Sequence, residues 1–346
     1  TIYSRDAEEA SYPTVASIES PEGTPIPWAA LSALASHPSN SKKAWTVYDS
    51  FYRKSRIFQL DTSGFPVLIE KEIVLTDSKG VFAETIATAN ANGYTDIVAA
   101  NLINDDNTIN VDPEGLARRA DGGFWLASEG NGTIGDDDRP IKSHNWLFRV
   151  SNKGVIKQVV SLPEGTNARQ VRFGLEGVTA VGSGSNEVLY VCIQREWDGD
   201  LDGHARIGRY EVASGEWTFF YYPLAEAQSP NGGWVGLSEI VATSDSDFLV
   251  VERDNQGGLD ARIKKIFSFS IEGLTPLSEE NTPNFPVVSK TEVRDLISDL
   301  LSDNGVVIEK VEGLTILANG DALIVTDNDG VDDSSGETQL INLGSL

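Results

Sequence analysis

One pattern recurs along the 346 residues and restricts the fold more than any other feature: an acidic residue, a small or apolar pair, a short turn, an apolar strand and a second acidic residue. It runs from Glu114-Gly115-Leu116 to Glu129, from Glu176-Gly177-Val178 to Glu196, from Ser238-Glu239-Ile240 to Glu252, and from Glu312-Gly313-Leu314 to Asp327. A fifth copy, 31–49, ends on Asp49 and has Ala33 where the others have Glu. Each copy reads as a β-hairpin, because Asp121-Gly122-Gly123, Ser183-Gly184-Ser185-Asn186 and Asn319-Gly320-Asp321 are turn chemistry between strand-like runs. A second hairpin usually follows, as at Trp146–Val150 with Asn152-Lys153-Gly154 as its turn. Four strands per repeat of about 60–75 residues is the signature of a propeller blade.

The expected fold is therefore all-β, a β-propeller of five to six four-stranded blades with one short inserted helix, forming a single domain over 1–346. The stretch 75–111 has room for strands of a sixth blade. The N-terminal segment 1–27 is expected to pack on the ring or close it, with 14–18 beside 339–343. The helix is expected after the capping box Ser289-Lys290-Thr291-Glu292, where Val293, Leu296, Ile297, Leu300 and Leu301 follow at helical spacing.

Charge narrows the function. With 52 Asp+Glu against 27 Lys+Arg the formal net charge is −25, which excludes general affinity for nucleic acid and disfavours anionic membrane surfaces. No apolar run is long enough to span a bilayer as a helix. The single cysteine, Cys192, has no intrachain disulfide partner, and its apolar run makes it a small buried hydrophobe. The chain starts at Thr1, consistent with a mature form whose leader has been removed, so a secreted or periplasmic location is expected.

The start of a hairpin's first strand and the end of its second lie at the same end. Glu114 then meets Glu129, Glu176 meets Glu196, Glu239 meets Glu252 and Glu312 meets Asp327, with Asp49 added by the first copy. Carboxylates crowded at one mouth of a propeller repel one another unless cations neutralise them. Oxygen-rich, histidine-poor sites suit Ca²⁺, with Mg²⁺ as the second candidate. The expected metal ligands are Glu114, Glu129, Glu176, Glu239, Glu252, Glu312, Asp327 and Asp49. The loop 198–203 also opens like a calcium loop, D-x-D-x-D-G, but has Arg209 at the twelfth position where an EF-hand needs Glu. The acidic stretches 136–138 and 327–330 are similar and weaker.

Cations stand beside these acids: Arg53 and Lys54 after Asp49, Arg195 before Glu196, Arg253 after Glu252, and Arg169 and Arg172 before Glu176. Guanidinium forks suit phosphate oxygens, so metal plus Arg/Lys at one mouth describes a phosphoester site. The expected catalytic group is Glu252, Glu129, Arg253, Arg195 and Lys54, with direct attack by water. The G-x-G-x-x-G match at 130–135 runs into three aspartates instead of a helix, so no dinucleotide cofactor is expected.

Several of these segments together resemble the phytase-like family, also called the esterase-like activity of phytase family. They are Asp112-Pro113-Glu114-Gly115-Leu116 with 123–129, Gly174-Leu175-Glu176-Gly177-Val178, 249–254, and Glu312-Gly313-Leu314 with 326–330. The likeness covers about residues 28–344. It implies a secreted or periplasmic propeller-like domain whose Glu and Asp support phosphoester hydrolysis; Ala33 departs from the pattern. The leading expectation is a Ca²⁺-dependent phosphoester hydrolase acting on a small substrate. The alternatives are a non-catalytic, calcium-stabilised extracellular propeller that binds a protein or glycan, and a lactonase-like ester hydrolase.

Overall fold

The computed structural model describes residues 14–16, 25–64, 67–304, 306–328 and 338–346. Its strands make five antiparallel sheets in chain order, the blades of an all-β, five-bladed propeller. A separate short ribbon pairs β1 (Thr14–Ala16) with β2 (Pro25–Pro27). The first blade is β3 (Leu31–Ser36), β4 (Lys43–Tyr48), β5 (Arg56–Asp61) and β6 (Leu68–Val74). Helices α1 (Val81–Ala91) and α2 (Ala99–Leu102) follow. The second blade is β7 (Pro113–Arg118), β8 (Phe124–Ser128), β9 (Trp146–Val150) and β10 (Ile156–Ser161). After α3 (Glu164–Asn167) comes the third, β11 (Leu175–Val181), β12 (Val188–Ile193), β13 (His204–Glu211) and β14 (Glu216–Pro223). The fourth is β15 (Val235–Ala242), β16 (Asp247–Asp254), β17 (Lys264–Ser270) and β18 (Lys290–Asp295). Helix α4 (Ile297–Asn304) leads to the fifth, whose described strands are β19 (Lys310–Ile316), β20 (Asp321–Asp327) and β21 (Leu340–Ser345).

By contact the chain divides into two compact units. One comprises Thr1–Leu126, Phe148–Val159 and Glu312–Leu346, the other Ala127–Leu147 and Val160–Val311. In the first, β3 lies beside both β7 and β20, and Leu34, Tyr48, Phe58, Leu323 and Val325 share one core. In the second, β11 lies beside β15, and Tyr190, Cys192, Ile207, Phe220, Tyr222, Leu237 and Val250 are buried together. Sheets covered on both faces lose the usual in-out alternation. Every residue of β8, from Phe124 to Ser128, is accordingly buried.

Three expectations need correction. The stretch 75–111 carries helices α1 and α2 and no sixth blade among the described residues. Residues 14–16 pair with 25–27, not with 339–343. The capping box at 289–292 starts no helix: Lys290–Asp295 is the outer strand of the fourth blade, paired from Phe269↔Lys290 to Lys265↔Asp295. An unpaired edge beside β17 outcompetes a local cap, because the ladder satisfies a whole row of backbone groups. The helix begins at Ile297, whose N–H donates to Asp295 Oδ1 at 3.0 Å, and it buries Leu300. No helix among the described residues is long and apolar enough to cross a membrane.

Candidate functional site

At the repeated position the first strand is irregular in three of the hairpins. The register slips between Leu31 and Ala33 in β3, between Leu175 and Val178 in β11, and between Leu237 and Glu239 in β15. A bulge of this kind bends the strand and re-aims a side chain. The glycine after the acid has a different task. A Cβ at Gly177 would overlap Glu239 Oε1 and Ile240 N and stand 2.8 Å from Glu239 Cα. A Cβ at Gly313 would stand 2.9 Å from the Ala33 carbonyl carbon and 3.0 Å from Leu34 N. Neighbouring first strands approach too closely for any side chain at these positions. The same comparison makes Ala33 the counterpart of Glu239, so the first blade lacks that carboxylate.

The acids have distinct surroundings. Glu176, 3% exposed, accepts from Gln194 Nε2 at 2.7 Å. Glu239, also buried, accepts from Ile240 N at 3.0 Å and lies near Cys192, whose thiol is pushed well up by burial and then by Glu239. Glu252 is fully buried and holds three donors: Tyr222 Oη at 2.7 Å and Lys290 Nζ at 2.6 Å on Oε2, and Ala225 N at 2.7 Å on Oε1. Glu312 and Asp327 are buried in the fifth blade. Asp49 accepts from Phe51 N at 2.7 Å, and Glu196 lies 3.4 Å from Arg195.

Among the described residues, three carboxylates come together closely enough to share one cation: Asp112, Glu114 and Glu129, with an oxygen of each within 4.8 Å of the others. They stand at the open end of the hairpin of β7 and β8, Asp112 just before β7, Glu114 near its start and Glu129 just after β8, and are half-buried. Asp112 Oδ1 also accepts from Ser50 N at 2.7 Å, and Glu129 Oε1 from Gly174 N at 2.7 Å, so backbone donors orient both groups. An all-oxygen set with this spread fits Ca²⁺, whose ligands stand about 2.3–2.6 Å from the ion and therefore up to about 5 Å apart. Glu114 and Glu129 are expected from the repeat. Asp112 is missed by it, although Asp112-Pro113-Glu114 stands in plain view.

The segment that holds Glu129 also gathers cations and rings. Phe173 precedes Gly174 and has φ 76°, a left-handed backbone that a bulky side chain rarely adopts. Trp197 Nε1 donates to its carbonyl at 3.0 Å. The guanidinium carbons of Arg172 and Arg195 lie 4.6 and 4.9 Å from the Phe173 ring centre, and the Trp234 ring is 5.1 Å away. Arg195 and Arg253 both lie over Trp234, at 5.3 and 5.5 Å. Arg253 is buried and donates from Nε to Ser238 Oγ at 2.9 Å, whereas Arg195 and Arg172 reach solvent. Lys54 pairs with Asp106 at 3.3 Å. Phe173 and Trp234 carry no charge pattern, and only the fold shows them as the rings between these guanidiniums.

The acidic loops do other work. Asp200, at the centre of 198–203, turns inward and takes Arg206 Nη2 at 2.6 Å, with both side chains fully buried. Asp136 Oδ1 closes a turn on Asp138 N and Arg139 N. Asn328 Oδ1 accepts from Ala30 N at 2.8 Å, and 329–330 lie outside the described residues. Next to Arg253, the ion pair of Asp254 with Lys264 is buried; burial and then Arg253 push the ammonium down to about 8, while Asp254 acts in the opposite sense.

Comparison with known proteins adds two results. Among solved structures the chain is similar to a GH43 endo-arabinanase from Bacillus licheniformis, at 15% identity over 66% of this chain and 69% of that one, with TM-score 0.33. It is also similar to the sucrose-6-phosphate hydrolase of Lactobacillus gasseri (10% identity, 92% and 59% covered, TM-score 0.46) and the allergen Mala s 1 of Malassezia sympodialis (14%, 90% and 77%, 0.37). No curated protein matches the sequence. The sequence profile described as "Phytase-like: Esterase-like activity of phytase" matches residues 26–330, and the chain belongs to that family.

Proposed function

We propose that this protein hydrolyses small phosphate esters with the help of a divalent cation, Ca²⁺ in the first instance, held by Asp112, Glu114 and Glu129. The observation that carries the proposal is the approach of those three carboxylates to within 4.8 Å. Like charges at that spacing are costly unless a cation sits among them. When bound, the ion supplies Lewis acidity and charge neutralisation at a phosphoryl oxygen. The chain supplies the rest. Gly174 N fixes one oxygen of Glu129, and the backbone of Phe173 ties that contact to the guanidiniums of Arg172 and Arg195. Those two side chains are assigned the remaining phosphoryl oxygens, since arginine forks bind them bidentately. The aromatic faces of Phe173 and Trp234 preorganise the forks, so that less rotamer entropy is lost on binding.

Of the residues expected to be catalytic, Glu129 and Arg195 take these roles. Glu252, Arg253 and Lys54 are bound to protein partners, and we assign them to support. Net charge and family membership favour an exported enzyme working where calcium is plentiful, the setting in which weak extracellular calcium sites operate.

The test is hydrolysis of aryl phosphate mono- and diesters by chelator-stripped protein, with and without Ca²⁺. Restored turnover, reduced by about tenfold or more in Glu129→Gln with melting unchanged in the absence of metal, is the expected result. Calcium that raises the melting temperature with no turnover on any phosphoester sinks the hydrolase and leaves a structural ion. Turnover on lactones instead would assign a different ester class to the same carboxylates.

A further inference from the structure

We propose a second anion site, on the turn end of the second blade, that takes a phosphate-type dianion, either free or as the terminal group of a monoester. The turn joining β7 to β8 and the turn joining β9 to β10 together shape a cavity of about 220 Å³ lined by Arg119, Asp121, Arg149, Ser151, Asn152 and Lys157. Three cations thus face one carboxylate, a local excess of two positive charges on a chain whose formal net charge is −25. Arg119 pairs with Asp121. Arg149 and Lys157 have no carboxylate within ion-pair distance among the described residues.

Backbone contacts hold the two turns together. Gly122 has φ 90° and its N–H donates to Arg119 O at 3.0 Å. A Cβ at Gly123 would stand 2.6 Å from Val150 O, so the first turn is pressed against the end of β9 and brings Arg119 up to Arg149. Across the cavity Ser151 Oγ accepts from Val155 N at 3.1 Å, closing the second turn. The neighbouring Arg118 shows that a cation on this hairpin is not left idle when it can pack. It sits 4.4 Å from the Trp45 ring centre and 4.5 Å from that of Phe124, on the apolar side of the strand. Arg149 and Lys157 have no such use, and they converge on a concave polar space instead.

The size selects the ligand. At ~30 Å³ per water the cavity holds roughly seven waters, below the ~300 Å³ where drug-sized ligands begin. Two guanidiniums and one ammonium around that space match a small tetrahedral oxyanion with two charges, which the forks can grip along its edges. The site is separate from the carboxylate cluster. Glu114 lies near the start of β7 and Arg119 just past its end, about 17 Å away at ~3.4 Å per residue.

The full-length protein, freed of calcium with a chelator, is titrated calorimetrically with inorganic phosphate and, in a second arm, with methyl phosphate, at constant ionic strength and with chloride as the control. Saturable binding is expected, weakened about tenfold or more by Arg149→Gln combined with Lys157→Gln, each change removing one charge-assisted contact. Lys157→Gln alone, at an exposed position, gives a smaller loss in a protein that folds normally. Binding of both anions assigns the dianion group itself; preference for one identifies the source. Absence of phosphate binding, or binding unchanged in the double variant, overturns the site. Turnover in the phosphoester assay is not involved, so failure of the hydrolase proposal leaves this one standing.

Discussion

Replacing Asp200 by Asn removes one of two charges that the third blade buries against each other. Asp200 holds Arg206 Nε at 2.7 and 3.0 Å and Nη2 at 2.6 Å, takes Tyr221 Oη at 2.8 Å, and accepts from Trp197 N at 2.9 Å. Both charged side chains are 0% exposed, so the guanidinium left behind cannot re-enter water without opening the blade. Breaking a buried pair by removing one partner costs about 3–5 kcal/mol. Unfolding entropy of about 2.1 cal/mol/K per residue converts that into roughly 4–7 °C of melting temperature if the 346 residues unfold together. Scanning calorimetry with and without Ca²⁺ reads the shift. Asp200→Leu with Arg206→Met should recover part of the loss, since an apolar pair of similar volume avoids the stranded charge. A melting temperature unchanged to within about 1 °C, combined with weaker calcium stabilisation, would falsify this account. Asp200 would then belong to a calcium loop, as its D-x-D-x-D-G spacing suggests.

Gly177→Ala forces a methyl group into backbone atoms of β15 and should cost about 1–3 kcal/mol or more in urea unfolding; a change under about 0.5 kcal/mol contradicts the close approach of β11 and β15. Glu252→Gln leaves Lys290 without its carboxylate but able to reach solvent, at 18% exposure, so about 1–3 kcal/mol is expected in the same assay. Lost turnover with unchanged stability would instead make Glu252 a participant in the chemistry. Burial lowers the pKa of His144, with Gln170 and Glu164 opposing more weakly. The unfolded chain then binds the proton first, so stability is complete above the ordinary histidine value and declines as pH falls from about 6.5 towards the folded pKa. His144→Gln should flatten that part of the pH–stability curve, and an unaltered slope rules this histidine out as its source.

Much of the fold is legible because the propeller writes the same local problem five times. Turn residues mark the hairpins, and the glycines after Glu176 and Glu312 have a packing reason, Gly177 against Glu239 and Gly313 against Ala33. What misleads is local strength without context. Ser289-Lys290-Thr291-Glu292 is a good helix start in isolation, and the open edge of β17 takes it as a strand. The stretch 75–111 reads as space for strands because the blades are spaced unevenly, yet Asp77 accepts from Phe82 N and Ala83 N at 3.0 Å each and starts α1 instead.

The site is less legible, for a reason that lies in how bulges aim side chains. A repeat of acids along the sequence suggests equivalent carboxylates around one mouth, but equivalence of backbone position does not make equivalence of environment. Glu176 faces Gln194, Glu252 faces Tyr222 and Lys290, and Glu129 faces Gly174 N, each through neighbours outside the repeat. Among the described residues, only at the second blade does an extra acid, Asp112, stand two residues before the repeated Glu and complete a group of three. A protein donor stabilises a buried carboxylate without metal, as at Glu252, whereas carboxylates gathered at one point repel one another even where donors orient them, as at Asp112 and Glu129, and favour a cation. Sorting the acids by that criterion separates those that build the blades from those that can hold an ion.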